Sequence, residues 1–375
     1  MKKRYRILGV LAIVLGVALA AGAFRLSRNT PCPDAPAPPT TSQTMPAVVL
    51  GCYGPPSALK VATVDRPALA DDRILVKVHA AALNPLDWHY MRGEPYLVRM
   101  DSGIGRPVLP RLGVDFSGTV EAVGSQVTRF KPGDEVFGGR TGAFAGYVSV
   151  SERGAVAAKP AEVGFEQAAS LPIAATTALQ ALRDKGQLKA GQKVLINGAS
   201  GGVGTFAVQL ARHFGAEVTG VCSTRNVELV RSLGADHVID YTRENFTQGR
   251  ERYDLVIDNV GNHSMLAVRR VLAPKGIYVI VGGPSDGKWL GPMTTVLKAY
   301  ALSPFVSQQV TFILGDLNAK DLAQLADLVR TGAITPVIDR RYTLDEVPAA
   351  IEYLETGRAR GKVIVDVQAD AAPAT

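Results

Sequence analysis

The sequence predicts an α/β protein built from two units, a mostly β unit and a doubly wound parallel sheet. Short β-branched runs broken by Gly, Pro and Asp occupy residues 47–150, which is typical of strands. From about residue 165, strands alternate with helices, the order that predicts a parallel sheet covered on both faces. A glycine-rich turn joins a strand to a helix within 193–204. The length of 375 residues allows one to three domains.

The individual elements follow from these patterns. In the first unit the runs VVL, ILVKVHAAAL and TVEAVG predict strands. In the second unit the predicted strands are KVLIN, EVTGVC, HVID, DLVIDNV and GIYVIVGG, and the predicted helices between them are VGTFAVQLARHFG, NVELVRSLG and SMLAVRRVL. After residue 305 the pattern predicts two more helices and a last strand, Lys362–Val367.

Composition excludes several classes of protein. A hydrophobic fraction of 47% with 20% charged residues is globular, which excludes a disordered chain and a polytopic membrane protein. The net charge of +7 is local: residues 1–28 contain six basic and no acidic side chains, and the remainder has 35 basic against 34 acidic ones. We therefore expect no nucleic-acid partner. Three cysteines, Cys32, Cys52 and Cys222, argue against a disulfide framework and against a four-cysteine zinc site.

The N-terminus predicts a separate segment. The basic start MKKRYR precedes the uncharged run Ile7–Phe24, whose 18 residues would span about 27 Å as a helix. We expect residues 1–28 to form a single-pass inner-membrane anchor, and the flanking charges slightly favour a periplasmic catalytic unit. A cleaved signal peptide, giving a secreted or periplasmic protein, is the alternative. Residues 29–46 predict a proline-rich linker without a folding signal.

The glycine-rich turn predicts a dinucleotide site. Gly198, Gly201 and Gly204 follow a strand and open a helix, so the backbone can approach a pyrophosphate and the helix N-terminus can bind it. An ordinary glycine turn is the alternative. The residues expected to contact the cofactor here are Ser200, Gly201, Gly202, Val203 and Gly204.

The end of the next strand indicates which dinucleotide binds. NAD sites usually place a carboxylate there to bind the ribose hydroxyls. This strand instead continues into Ser223, Thr224 and Arg225. Hydroxyls beside a guanidinium suit the additional phosphate of NADPH, because guanidinium binds phosphate through paired hydrogen bonds. The alternative is that Arg225 is a solvated loop residue.

Eight motifs then resemble one family. They are HAAALNPLDW (79–88), LGVDFSGTVEAVG (112–124), FKPGDEVFG (130–138), AASLPIAATTALQAL (168–182), NGASGGVG (197–204), LGADHVIDY (233–241), DLVIDNVG (254–261) and GRARGKVIV (357–365). Their order and spacing resemble the medium-chain dehydrogenase/reductase superfamily, in its zinc-free quinone oxidoreductase (zeta-crystallin-like) branch. The resemblance implies a GroES-like catalytic domain (47–172 and 305–368), an inserted Rossmann NADP-binding domain (173–304) and a tail (369–375).

The departures from the family's zinc enzymes predict a site without metal. Those enzymes have Cys-x-[Thr/Ser]-Asp and Gly-His-Glu where this chain has Asn84-Pro85-Leu86-Asp87 and Gly113-Val114-Asp115. The thiolate and the imidazole are both replaced, and an amide with two carboxyls is a poor set of zinc ligands. Because no Lewis acid would polarise a simple carbonyl, conjugated acceptors are favoured.

The resemblance also implies individual site residues. Asn84 and Asp87 would form hydrogen bonds near the reacting carbonyl or the cofactor, or alternatively stabilise the loop before Pro85. His89 could donate a proton, although a structural histidine is the alternative. The remaining expected cofactor contacts are Thr177, Tyr241, Asn262, Val281, Gly282, Gly283 and Arg358. For Tyr241 a core role, and for Arg358 a solvated one, stay open.

The sequence therefore predicts an NADPH-dependent oxidoreductase that transfers hydride to a quinone or an α,β-unsaturated carbonyl. Its expected partners are a small-molecule substrate and the membrane, with a homodimer as an open option. Two alternatives remain at this point: a zinc-free alcohol or aldehyde dehydrogenase, and a membrane-tethered NADPH-binding scaffold or redox sensor.

Overall fold

The computed structural model describes residues 16–18, 20–33, 35–284, 287–302 and 307–368. The tail expected at 369–375 lies outside these residues. Within them, 16–18 and 20–27 are helical (α1). No helix of the described residues is long and apolar enough to cross a membrane. That finding contradicts the predicted single-pass inner-membrane anchor, whose first 15 residues lie outside the described part of the chain.

The catalytic unit begins with antiparallel strands. The hairpin β1–β2 stands beside a larger sheet in which β3 pairs with both β4 and β6, and β5 joins β4 to β7. The bounds are β1 (Thr44–Leu50), β2 (Leu59–Asp65), β3 (Arg73–Ala82), α2 (Pro85–Arg92), α3 (Arg99–Ser102), β4 (Asp115–Val123), β5 (Glu135–Gly139), β6 (Tyr147–Ser151) and β7 (Val156–Ala158).

The second unit is a six-stranded parallel sheet in the order β10-β9-β8-β11-β12-β13. Its central strands are buried on both faces because helices cover them, which is why they read as continuous apolar runs. The bounds are α4 (Phe165–Ala169), α5 (Pro172–Gln180), β8 (Lys193–Asn197), α6 (Gly202–His213), β9 (Glu217–Cys222), α7 (Val227–Ser232), β10 (His237–Asp240), β11 (Tyr253–Asp258), α8 (Met265–Val268), β12 (Leu272–Ile280), α9 (Met293–Leu302), β13 (Gln309–Phe312) and α10 (Ala319–Arg330).

The chain then returns to the catalytic unit. Strand β14 (Ile338–Thr343), helix α11 (Val347–Glu355) and strand β15 (Lys362–Asp366) follow α10. Strand β15 pairs with β14 and with the end of β3, so both ends of the chain build one sheet. Lys362, the first residue of β15, therefore lies where the two units meet, next to the bridge between Gly201 and Gly361.

Two predicted boundaries are corrected by this arrangement. Strand β13 pairs with β12, so the parallel sheet continues past residue 305. Helix α10 then packs against both α5 and β7, so the return to the catalytic unit falls after β13 and not at residue 305. At the other end, Thr44 already pairs with Asp65, so the linker predicted to reach residue 46 ends before β1.

The N-terminal segment is also more structured than predicted. Cys32 and Cys52 form a disulfide with a Cα–Cα distance of 5.0 Å, so the exclusion of a disulfide framework missed a single bond. The Thr30 N–H donates to Gly105 O at 2.9 Å, and Arg99 donates to Leu26 O at 2.8 Å. These contacts hold the segment against α3 and the loop that follows it, which brings the two cysteines together. The pairing joins distant positions and leaves no local pattern in the sequence.

Candidate active site

The phosphate-binding turn has the geometry that its glycines predict. Gly198 follows β8 with φ +78°, and a Cβ on Gly204 would lie 2.1 Å from Gly198 O. The first bond of α6 joins the Thr205 N–H to Gly201 O at 2.9 Å. The N–H groups of residues 202–204 precede that bond, so they are the ones left for an anion. The structure thus places Ser200, Gly201, Gly202, Val203 and Gly204 in one turn.

An asparagine that the sequence did not single out organises this turn. Asn226 donates through Nδ2 to Ser200 Oγ at 2.9 Å and to Ser223 Oγ at 3.3 Å. Its Oδ1 is buried and has no partner among the described residues. An unpartnered buried amide oxygen favours a ligand that donates a hydrogen bond, because leaving it unpaired costs free energy. Asn226 therefore links the phosphate turn to the end of β9.

The residues expected to bind the extra phosphate of NADPH lie close together. Arg225 Nη2 donates to Arg358 O at 2.6 Å, and the Tyr241 N–H donates to Cys222 O at 3.0 Å. Arg225, Arg358 and Tyr241 are exposed, as a site for a solvated phosphate requires. The expected contribution of Thr224 needs correction. Its hydroxyl donates to Asp240 Oδ2 at 2.6 Å.

Asp240 supplies a carboxylate that the sequence reasoning missed. It ends β10, which lies beside β9, so only the sheet order brings it next to Thr224. Thr242 donates to Asp240 Oδ1 through both its N–H (3.0 Å) and its hydroxyl (2.8 Å). The hydrogen bond from Thr224 is the largest cause of the lowered pKa of Asp240. Hydrogen bonds from Thr224 and Thr242 thus occupy both oxygens of the Asp240 carboxylate.

A buried carboxylate organises the ends of the central strands. Asp258 is fully buried at the end of β11, where it accepts from Asn197 Nδ2 (2.8 Å) and from the Tyr278 hydroxyl (2.7 Å). Asn197 Nδ2 also donates to Asn262 Oδ1 at 3.0 Å, which places Asn262 at this edge. Burial is the main cause of the raised pKa of Tyr278, with the Asp258 charge second. The ends of β8, β11 and β12 are held together by these bonds.

The loops after β11 and β12 approach each other closely. Val281 and Gly282 donate their N–H groups to Asp258 O at 2.9 and 3.1 Å. A Cβ on Gly282 would lie 2.4 Å from Asn259 O. Asn259 Oδ1 is buried without a partner in the described ranges, at the carboxyl edge where ligands of such sheets bind. Gly283 continues this edge, and a Cβ on Gly261 would lie 2.7 Å from its Cα.

Thr177 lies on α5 and faces the segment after β13. A Cβ on Gly315 would lie 2.8 Å from Thr177 Oγ1, so the glycine permits this approach. The hydroxyl of the neighbouring Thr176 is buried and unpartnered within the described chain. The structure therefore places Thr177 against the segment that follows β13, and its contact with the nicotinamide stays a prediction.

The predicted catalytic residues Asn84 and Asp87 belong to a buried polar cluster. Lys362 Nζ donates to Asn84 Oδ1 at 2.7 Å and contacts Asp115 Oδ2 at 3.2 Å. Asn84 Nδ2 donates to the same Asp115 oxygen at 2.9 Å, and the Asn84 N–H donates to Asp87 Oδ2 at 2.8 Å. We call these four residues the lysine cluster. All four are at most 3% exposed.

The lysine cluster adjoins the phosphate turn. A Cβ on Gly202 would lie 3.3 Å from Lys362 Cδ, and Gly201 forms a parallel bridge with Gly361. The ammonium of Lys362 therefore lies directly behind the start of α6. Lys362 lies in the motif GRARGKVIV, but its role is not visible in the sequence, because its partners come from β4 and the loop after β3.

The residues at this place do not fit zinc. Asn84 and Val114 stand where the zinc relatives have a thiolate and an imidazole, and the Lys362 ammonium occupies the oxygens of Asn84 and Asp115. No group of three His, Cys, Asp or Glu side chains with metal-binding geometry occurs among the described residues. A cation is already present in the form of a lysine side chain, so no step of the chemistry is assigned to zinc.

His89 is placed as a structural histidine. Its Nδ1 lies 2.7 Å from Glu94 O, and its ring lies against Trp88 with centroids 3.6 Å apart. Burial lowers the pKa of His89 below its ordinary value of 6.5, so the ring is neutral at pH 7. The geometry gives no support to the predicted role of proton donor.

Asp87 carries a titration that can be tested. Burial raises the pKa of Asp87 from 3.8 to about 7, and the neighbouring Asp115 adds to the rise. The folded protein therefore binds this proton more tightly, and the unfolding free energy falls as pH rises from about 4 to about 7. One proton contributes at most about 1.4 kcal/mol per pH unit.

We expect Asp87→Asn to flatten the fall of stability between pH 5 and pH 7. Asparagine keeps an acceptor for the Asn84 N–H but does not titrate in this range. Urea unfolding of both proteins at several pH values measures the difference. Parallel profiles for the two proteins would contradict the raised pKa.

Comparisons with known proteins agree with this geometry. Residues 70–161 match the alcohol dehydrogenase GroES-like domain family, and residues 233–365 match the family described as zinc-binding dehydrogenase. The chain belongs to the medium-chain dehydrogenase/reductase superfamily, in its zinc-free quinone oxidoreductase branch. The resemblance found in the sequence is thereby confirmed.

Individual relatives are similar over most of the chain. A 2-methylene-furan-3-one reductase of Solanum lycopersicum is 37% identical over 328 residues, covering 84% of this chain and 76% of the relative. A chloroplastic NADPH-dependent alkenal/one oxidoreductase of Arabidopsis thaliana is 35% identical over 336 residues, covering 86% and 79%. The solved quinone oxidoreductase of Coxiella burnetii is 33% identical, with a TM-score of 0.78, covering 87% of this chain and all of that one.

Proposed function

We propose that the protein is an NADPH-dependent reductase that delivers hydride to enones or quinones without catalytic zinc. One observation carries the proposal: the phosphate turn touches the lysine cluster, with Lys362 Cδ 3.3 Å from the place of a Gly202 Cβ. A nucleotide-binding edge thus adjoins the position of the zinc site of related enzymes, and that position contains a lysine. The printed names of the tomato and Arabidopsis relatives, a furanone reductase and an alkenal/one oxidoreductase, support this substrate class.

The chain's own groups fit NADPH. The pyrophosphate would lie on the N–H groups at the start of α6, where any Cβ on Gly204 would close the turn. The buried oxygens of Asn226 and Asn259 would accept from ribose hydroxyls. Arg225, Tyr241 and Arg358 would surround the additional phosphate. When bound, the cofactor supplies a hydride from its nicotinamide ring.

The polar groups of the site orient the reactants and exclude water. Thr177 and the closely packed loops after β11 and β12 would set the face of the nicotinamide ring. In the lysine cluster, Asn84 Oδ1 and Asp115 Oδ2 already contact the Lys362 ammonium, so these two oxygens are not open to a metal ion. A conjugated acceptor suits such a site, since its own π system delocalises the charge that hydride leaves.

Arg225→Ala should weaken NADPH binding by about 10- to 100-fold and leave NADH binding nearly unchanged. A charge-assisted hydrogen bond to phosphate contributes roughly 1.5–3 kcal/mol, and only NADPH has that phosphate. Fluorescence titration with both cofactors measures the two affinities. Equal losses for NADPH and NADH would show that Arg225 does not bind the phosphate.

A turnover screen tests the proposed function as a whole. NADPH and NADH consumption would be followed with a panel of quinones, enones, aldehydes and alcohols. We expect turnover of conjugated acceptors with NADPH. Turnover limited to aldehydes or alcohols would favour the alternative dehydrogenase, and tight NADPH binding without any turnover would favour a scaffold.

A homodimer is part of the proposal, because β13 is the edge strand of the parallel sheet, to which a second copy could pair.

A further inference from the structure

A cavity lined by basic side chains lies in the catalytic unit, away from the proposed NADPH site. It has a volume of about 310 Å³ and lies between the start of β3, the loop at 109–111 and the turn after β5. Three arginines line it, Arg73, Arg111 and Arg140, and we call it the arginine pocket. Its volume is at the lower end of the range for ligand pockets, roughly 300–1,000 Å³. None of its lining residues belongs to the phosphate turn or to the lysine cluster.

Two of the arginines contact the pocket wall, one through hydrogen bonds and one through packing. Arg73 donates through Nε to Ser149 Oγ at 2.9 Å and through Nη2 to Ser149 O at 2.6 Å. Arg111 lies against the backbone of Gly142, whose φ is +95°. A Cβ there would be 3.5 Å from Arg111 Nε and 3.7 Å from its Cζ. Ser149 therefore holds the Arg73 guanidinium in place before any ligand binds, and Arg111 packs against the turn at Gly142.

The charges of the pocket are not balanced within the protein. Among the residues that the structure describes, none of the three arginines forms an ion pair, and no hydrogen bond leaves the side chains of Arg111 and Arg140. Burial lowers the pKa of Arg111, and the like charge of Arg140 lowers it further. Glu121, whose charge acts on the pocket-lining Tyr147, is paired with Arg66 at 3.1 Å. Three guanidinium groups that stay charged at all physiological pH values thus share one cavity.

We propose that the arginine pocket binds a small phosphate monoester. A phosphate monoester carries a charge between −1.5 and −2 at pH 7 and has three acceptor oxygens, which match several guanidinium forks at once. A single carboxylate would leave two of the three positive charges unpaired. The hydroxyls of Ser149 and Thr141 also line the pocket and can donate to the remaining oxygens. The volume leaves room for a small organic body beside the phosphoryl group.

Calorimetric titration of the full chain saturated with NADP⁺ tests the proposal, because the cofactor then occupies its own phosphate site. Glycerol 3-phosphate and inorganic phosphate are the probes, and succinate is the dicarboxylate comparison. We expect one saturable site for the phosphates. Arg111→Ala and Arg140→Ala should each weaken it by about tenfold or more. Arg250→Ala removes an exposed arginine elsewhere and should leave it unchanged.

Three results would overturn the proposal. The first is a lack of saturable phosphate binding by the NADP⁺-bound protein. The second is an unchanged affinity in Arg140→Ala, a variant that shortens an exposed side chain and so leaves the core intact. The third is binding of succinate as tight as that of glycerol 3-phosphate. NADP⁺ affinity of each variant, measured in the same experiment, reports whether the protein is folded.

Discussion

Gly204→Ala is expected to abolish measurable NADPH binding, a loss of at least about 100-fold. The added Cβ would lie 2.1 Å from Gly198 O and 2.8 Å from the Ala199 backbone. Real Cβ atoms do not approach backbone atoms this closely, so the turn or the start of α6 must move. Either movement displaces the N–H groups that would bind the pyrophosphate. Equilibrium binding of NADPH to the purified variant measures the loss.

Gly164→Ala is the matched control for this substitution. Gly164 precedes α4, has φ −72°, and a Cβ there would have no atom within 4 Å. This variant should bind NADPH like the unchanged protein. Retention of full affinity in Gly204→Ala would mean that this turn does not bind the cofactor.

Lys362→Met should lower the unfolding free energy by about 3–5 kcal/mol and weaken NADPH binding as well. The substitution keeps a long side chain but removes the ammonium, which leaves Asp115 buried without its positive partner. Loss of one member of a buried ion pair has a cost of this order, because the remaining charge is neither solvated nor paired. The contact of Lys362 with the start of α6 transmits the change to the phosphate turn. Urea unfolding and NADPH titration measure the two effects.

The double variant Lys362→Met with Asp115→Asn separates charge from packing. Removing the second charge should restore part of the stability, because the asparagine no longer buries an unpaired carboxylate. Lys320→Met, on the exposed face of α10, is the control for loss of a surface lysine and should change stability by less than about 0.5 kcal/mol. A Lys362→Met variant as stable as this control would contradict the role of the ion pair.

The sequence predicted well the features that depend on local pattern. The run KVLIN followed by three spaced glycines predicted β8, the turn and α6, because strand, turn and helix N-terminus are adjacent in the chain. The replacement of zinc ligands by Asn84 and Val114 was visible for the same reason. The family resemblance then supplied the order of the two units, which periodicity alone would have left open.

The features that depend on long-range pairing were missed. Asp240 lies 16 residues after Thr224, and only the neighbouring positions of β9 and β10 bring them together. Lys362 meets Asn84 across 278 positions of the chain. The unpaired oxygen of Asn226 and the disulfide of Cys32 likewise depend on segments folded against each other, which composition and spacing do not record.

The position of a transferred deuterium distinguishes reduction of the conjugated double bond from reduction of the carbonyl. The protein would be supplied with NADPH deuterated on C4 of the nicotinamide and with but-3-en-2-one, in the presence of a zinc chelator, and the product analysed by mass spectrometry and NMR. We expect a saturated ketone with one deuterium on the former β-carbon and a rate unaffected by the chelator. Deuterium on the carbonyl carbon of an alcohol, or a reaction that the chelator stops, would contradict it.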